Sequence, residues 1–199
     1  YVIFVDFAKA FDGITHEYLI HSLFKNGIHG KVFKIIKDMY SKLKSCVKTD
    51  DGITKYFNCT IGTRQGCMLS PFLFTLYIKD LIDMLQDYEC QGTFVHENAS
   101  NVMILLYADD IAEGTNTVNR LQKMIDVLEV FSIRFIMTLN MSKTRIMVFR
   151  RGGVEKKNEK WYYKQCRVDT VQFYKYFGIV FTYTLSWDKA VYTLAMQAQ

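Results

Sequence analysis

Two short apolar stretches of this chain run straight into aspartate, and any fold must accommodate them. Val2, Ile3, Phe4 and Val5 lead into Asp6. Residues 102–106 lead through Tyr107-Ala108 into Asp109-Asp110, and Ile111-Ala112 resume the apolar run. Short runs of this make-up favour strands over helices. A strand apolar on both faces belongs in a covered sheet. Tyr107-Ala108-Asp109-Asp110 then reads as a tight turn between two strands. If the first strand is their neighbour, three carboxylates converge at one sheet edge. Acids held unpaired at such strand ends are costly without a cation.

The segments between these strands carry helical spacing. Tyr18, Leu19, Leu23 and Phe24 form one apolar stripe; Val32, Ile35, Ile36, Met39, Tyr40 and Leu43 form a second, and Gly27 and Gly30 separate the two. Residues 46–49 and 56–61 flank Asp50-Asp51-Gly52 and suggest a β-hairpin whose loop is slightly longer than the tight form. Ser70-Pro71 marks a helix start: Ser can cap free amides, and Pro at the first position forfeits no hydrogen bond. That helix runs through Phe72, Phe74, Tyr77, Leu81 and Leu85 and reads as well buried. Val118, Leu121, Ile125, Leu128 and Phe131 define an amphipathic helix. Residues 145–150 read as a strand, 151–158 as a loop, and 161–163, 171–174 and 177–181 as short strands. The order predicts an α+β fold, an antiparallel sheet with helices packed on one face.

The chain has 199 residues, enough for one domain. No apolar run is long enough to span a bilayer. Its five cysteines are odd in number and without C-x-x-C spacing, which argues against a disulfide framework or zinc site and for a reducing, intracellular setting. The net charge of +5 is modest, but Lys143, Arg145, Arg150, Arg151, Lys156, Lys157, Lys160, Lys164 and Arg167 fall in one stretch against Glu155 and Glu159. Such a stretch either tracks a phosphate backbone or forms a solvated hairpin.

An Asp-Asp pair in a turn is ordinarily a solvated turn, and an Asp closing a strand is equally ordinary. Their company changes the weight. Phe4-Val5-Asp6-Phe7-Ala8-Lys9-Ala10-Phe11-Asp12 resembles the first polymerase motif of the reverse transcriptases of non-LTR (LINE-like) retrotransposons. Gly62-Thr63-Arg64-Gln65-Gly66-Cys67-Met68-Leu69-Ser70-Pro71-Phe72-Leu73-Phe74 resembles their second motif, and Tyr107-Ala108-Asp109-Asp110 their third. Leu139-Asn140-Met141-Ser142-Lys143-Thr144 is similar to the fourth, and Tyr176-Phe177-Gly178 to the fifth, the primer grip. The motifs stand in family order along nearly the whole chain.

The resemblance implies a polymerase palm with an RRM-like core over residues 1–199, with residues 45–62 as part of the fingers. It implies RNA-directed DNA synthesis from dNTPs on an RNA template and a DNA primer, in the nucleus and cytoplasm, with no membrane partner. It implies two Mg²⁺ ions, with Mn²⁺ as a substitute. Two such ions stabilise both the attacking and the leaving oxygens of phosphoryl transfer. Asp6 and Asp109 would bridge them, Asp110 would complete the carboxylate set, and the Phe7 carbonyl would add a ligand. Phe11 matches the aromatic gate that excludes a ribose 2′-hydroxyl, although an aromatic is ordinarily core. Gln65 and Gly66 match the pair beside the incoming nucleotide. Lys143 matches the proposed general acid for pyrophosphate. Tyr176, Phe177 and Gly178 match the primer grip. Arg64 has no assigned role, and His16, His21, His29 and His96 read as structural.

Some family features are missing. The usual upstream fingers and downstream thumb lie outside these residues, so the isolated chain is expected to be weak or inactive. Phe177 stands where Leu is usual, and Glu113 where an apolar residue is commoner. Two alternatives are a maturase-type reverse transcriptase of group II intron origin and a degenerate or domesticated copy that binds nucleic acid without catalysis.

Overall fold

The computed structural model describes residues 1–64, 66–94, 101–107, 109–150 and 158–197. Strand β1 (Val2–Val5) is buried on both faces as expected: Ile3 and Val5 join the main core, and Phe4 joins a smaller cluster on the opposite side. Helices α1 (His16–Lys25) and α2 (Gly30–Ser41) follow. The break between them falls at Gly27 and Gly30, whose φ values of +81° and +67° lie where only glycine sits without strain. Leu19, Leu23, Ile36 and Tyr40 are buried, whereas Phe24, Val32 and Ile35 stay exposed.

Strands β2 (Lys44–Ser45), β3 (Lys48–Thr49), β4 (Gly52–Ile53) and β5 (Phe57–Asn58) form one broken hairpin, β3 with β4 and β2 with β5. Thr49 pairs with Gly52, so the loop is Asp50-Asp51 alone, tighter than expected. Helix α3 (Ser70–Asp87) carries Pro71 in its first turn. Ser70 is not its cap. Leu69 holds that position, and the Ser70 hydroxyl donates to the Arg64 carbonyl at 2.6 Å. Leu73, Phe74, Tyr77, Leu81 and Leu85 are buried, but Phe72 remains half exposed.

Strands β6 (Thr93–Phe94) and β7 (Asn101–Val102) pair, as do β8 (Ile104–Tyr107) and β9 (Asp110–Gly114). Helix α4 (Val118–Arg134) begins at Thr117, whose hydroxyl accepts the Arg120 N–H, a cap the sequence reading did not single out. Strand β10 (Arg145–Met147) is shorter than the predicted 145–150. The loop expected at 151–158 lies, except for Asn158, outside the described residues. Strands β11 (Tyr162–Tyr163) and β12 (Cys166–Arg167) pair, and β13 (Thr170–Val171) follows. Strands β14 (Phe173–Tyr176) and β15 (Ile179–Thr182) form a hairpin, and helix α5 (Asp188–Gln197) packs beside β15. Phe177 is not in a strand: with Gly178 it makes the two-residue turn, at φ +51° and +79°. Two positive φ values match the twist of a tight hairpin.

The central sheet runs β13-β10-β1-β9-β8 and is antiparallel except for the parallel β10–β13 edge. Helices α3 and α4 lie on one face, where Ile3, Val5, Ile111 and Ile146 meet Phe74, Tyr77, Leu121, Ile125 and Phe131. Each such side chain contributes roughly 1.5–3 kcal/mol on burial. The other face is partly covered by the β14–β15 hairpin, whose Tyr174 stacks on Phe4 at 4.3 Å. The α+β class with helices on one face is therefore found, with an aromatic hairpin as a further layer. Among the described residues no helix is long and apolar enough to cross a membrane.

Candidate active site

Strands β1 and β9 are antiparallel neighbours with Val5 opposite Ile111. Extending that register by one residue sets Asp6 opposite Asp110. Side chains alternate across a sheet. Because Val5 and Ile111 face the helices, Asp6 and Asp110 fall on the hairpin side. Tyr107 pairs with Asp110, so Asp109 lies in the connection between β8 and β9. Ala108 lies outside the described residues.

Asp6, Phe7, Phe11, Asp109, Asn140 and Lys143 line one cavity of about 290 Å³. The Lys143 Nζ stands 3.7 Å from Asp6 Oδ1 on a side chain 66% exposed, a loose pairing that solvent weakens. Asp110 borders this group without lining the cavity. Its carboxyl is pushed above the ordinary carboxylate range by desolvation first, then by the charges of Asp109 and Asp6. The same acids act on the hairpin. Burial and the Asp110 charge push the Tyr176 phenol to about 12, and burial with Asp6 and Asp110 raises Tyr174. Among the described residues no three His, Cys, Asp or Glu are grouped so as to hold a metal ion by themselves. The aspartates are neighbours at an open edge.

Backbone bonds decide what else the edge offers. Phe7 bridges Leu139, through Ala8 N–H to the Thr138 carbonyl (2.7 Å) and Asn140 N–H to the Asp6 carbonyl (2.8 Å). That pairing leaves the Phe7 carbonyl out of both bonds, while its ring is buried near Phe131. Phe11 answers both descriptions given to it: it packs on Phe74 at 4.8 Å and also forms part of the cavity wall. Gly66 has φ +76° and open space around it. Gln65 lies outside the described residues. Tyr176 donates its hydroxyl to the Asp110 carbonyl at 3.3 Å, and the exposed Phe177 meets Tyr107 edge-on at 4.9 Å. The fifth motif thus abuts the third.

The basic stretch is partly committed elsewhere. Arg145 donates to the Met141 and Thr144 carbonyls, and Arg150 pairs with buried Glu159. Arg151, Glu155, Lys156 and Lys157 lie outside the described residues, as does His96. His16 hydrogen-bonds the Gly62 carbonyl at 2.8 Å, a structural contact. Arg64 walls a second cavity, of about 570 Å³, with Lys44 and Asp12. Sequence reasoning gave no role to Asn140, Thr144 or Tyr174, all placed at the site. The first two sit inside the quoted fourth motif, and Tyr174 lies two residues before the fifth.

The model of the family "Reverse transcriptase (RNA-dependent DNA polymerase)" matches residues 1–181. The transposon TX1 149 kDa protein of Xenopus laevis is 29% identical over 140 residues, covering 70% of this chain and 11% of that protein. The RNA-directed DNA polymerase from mobile element jockey of Drosophila funebris is 24% identical, over 73% of this chain and 16% of its own length. The Pol polyprotein from type-1 retrotransposable element R2 of Popillia japonica is 28% identical, over 98% and 28%. This chain thus spans between 11% and 28% of these relatives. Among solved structures, apo telomerase from Candida tropicalis, truncated from its C-terminal domain, matches with a TM-score of 0.60 at 16% identity, over 93% of this chain and 34% of that one. That likeness establishes the fold. The relatives are named as proteins of a transposon, a mobile element and a retrotransposable element. The chain belongs to the reverse transcriptase family.

Proposed function

We propose that this chain is the palm, with part of the fingers at 45–62, of a non-LTR retrotransposon polymerase. It joins dNTPs to a DNA primer on an RNA template. The observation that carries this reading is the meeting of Asp6, Asp109, Phe11 and Lys143 around one cavity, from three separate stretches of chain. Reverse transcriptases use divalent cations, and Mg²⁺ suits this edge. Mg²⁺ needs only one or two protein carboxylates, with water and substrate phosphates completing its octahedron. The upward push that Asp109 and Asp6 exert on Asp110 is a repulsion that bound cations would relieve. Asp6, Asp109 and the Phe7 carbonyl would hold two ions, with Asp110 adding negative charge beside them; Mn²⁺ would substitute. When bound, the pair activates the primer 3′-hydroxyl and neutralises charge on the transferring phosphate.

The other roles fall to this chain's own groups. Lys143, on the cavity wall beside Asp6, would donate a proton to the departing pyrophosphate. Phe11, packed on Phe74 at the cavity wall, would exclude a ribose 2′-hydroxyl. Gly66, with Gln65, lets the backbone approach the nucleotide. Tyr176, Phe177 and Gly178, in a turn set against Tyr107 and Asp110, would grip the primer end. Such a protein works inside the cell, in the nucleus and cytoplasm, where template RNA and DNA primer are found.

The test is primer extension on RNA by a complete reverse transcriptase carrying this chain in place of its own matching residues. Extension that is lost in Asp109→Asn is the expected result. Equal extension by both would refute the carboxylate assignment. A second reading, a decayed copy that only binds nucleic acid, is favoured by one observation: Glu113, wholly buried with neither carboxylate oxygen hydrogen-bonded among the described residues. In that case the wild-type graft extends nothing while its RNA binding survives Asp109→Asn.

A further inference from the structure

Asp6 lies one residue beyond the end of β1, where regular pairing has stopped. The β1–β10 ladder closes at Phe4 opposite Arg145. The backbone of Asp6 would then be loose, and its carboxylate with it. Both of its backbone groups are nevertheless held by residues 140–144. The Asp6 N–H donates to Thr144 Oγ1 at 3.2 Å, and the Asp6 carbonyl accepts from Asn140 N–H at 2.8 Å and lies 3.5 Å from the Thr144 hydroxyl. Thr144 is 0% exposed, so water cannot stand in for its hydroxyl. The turn itself is stiffened: the Asn140 carbonyl accepts the N–H groups of Lys143 and Thr144, and Asn140 Oδ1 accepts from the Ser142 N–H and hydroxyl.

We propose that Thr144 is a positioning residue, whose buried hydroxyl replaces the missing ladder bond at Asp6 and thereby fixes the Asp6 carboxylate for the divalent cation. This rests on the reading of Asp6 as a cation ligand. Small displacements of a ligand matter because a cation site needs its donors held within a fraction of an ångström. Valine matches threonine in shape but cannot accept the Asp6 N–H, leaving a part-buried donor unsatisfied. Serine keeps the hydroxyl.

The experiment titrates this chain with Mn²⁺, by calorimetry or by loss of the free-ion EPR signal, and follows hydrogen exchange at the Asp6 amide. Thr144→Val should weaken Mn²⁺ binding about tenfold and remove protection of the Asp6 amide, while Thr144→Ser binds within about twofold of wild type. A purely structural role would lower the melting temperature without changing affinity well below the transition. If Asp6→Asn abolishes binding while Thr144→Val binds as wild type, the positioning role is overturned and the cation reading stands. If Asp6→Asn leaves binding unchanged, the cation reading falls and this proposal with it. Should the valine variant not fold, the wild-type amide decides: an Asp6 N–H exchanging at the rate of an unfolded chain overturns the proposal.

Discussion

Glu113 offers a sharp test of the packing. It sits in β9 between Ile3 of β1 and Ile104 of β8, on the face that the helices cover. It is 0% exposed, and neither carboxylate oxygen has a hydrogen-bond partner among the described residues. Burial pushes its carboxyl from 4.5 to about 8. The folded chain therefore keeps the proton to about pH 8, whereas the unfolded chain releases it above about pH 4.5. Stability is full below the lower value, falls as pH rises between the two, and levels off above pH 8. At about 1.4 kcal/mol per pH unit the whole loss is about 5 kcal/mol, of which about 3 kcal/mol is incurred by pH 7. Glutamine has the same shape and no proton to lose. Glu113→Gln should therefore equal wild type at pH 4 and exceed it by about 3 kcal/mol at pH 7. Urea unfolding at pH 4, 5.5, 7 and 8, followed by circular dichroism, reads both proteins. A constant difference across that range, or a glutamine variant less stable at pH 7, would refute the reasoning.

Other outcomes follow from the site and the core. Phe11→Ala in the grafted polymerase should raise incorporation of ribonucleotides relative to dNTPs by at least about tenfold, read from gel extension with each nucleotide, because the ring that fills the wall is gone. Lys143→Ala should lower kcat by about 10²–10⁴ with little change in KM, since a general acid acts in the transition state. An equal rise in KM would instead mark simple phosphate binding. Trp161 is wholly buried and donates its indole N–H to the Val118 carbonyl at 3.0 Å. Trp161→Ala should cost about 3–5 kcal/mol in urea unfolding, and a cost below 1 would show that the β11–β12 unit is not anchored there.

Much of the helical scaffold was legible because its signals are local. The stripes of α1 and α4 repeat at helical spacing, and Gly27 and Gly30 break the chain where the helices part. Local signals misled where a partner outside the window intervened. Ser70 before Pro71 suits a helix cap, yet its hydroxyl is claimed by the Arg64 carbonyl. Residues 177–181 suggest a strand, yet Phe177 falls in the turn of the β14–β15 hairpin. Phe72 belongs to the apolar run of α3, yet at 52% exposure it is not part of the core.

The site divides the same way. Sequence alone determined which acids could matter, because an aspartate ending an apolar strand and a pair at a turn are visible one residue at a time, and motif order joined them. It also determined the family. Only tertiary structure decided that β1 and β9 are neighbours in a register placing Asp6 opposite Asp110, since strand pairing depends on contacts more than a hundred residues apart. It also set Lys143 over Asp6 and buried Thr144 beneath it, because no local pattern states which side chain will close a ladder that stops one residue short. The burial of Glu113, too, came only from the helices laid across its strand.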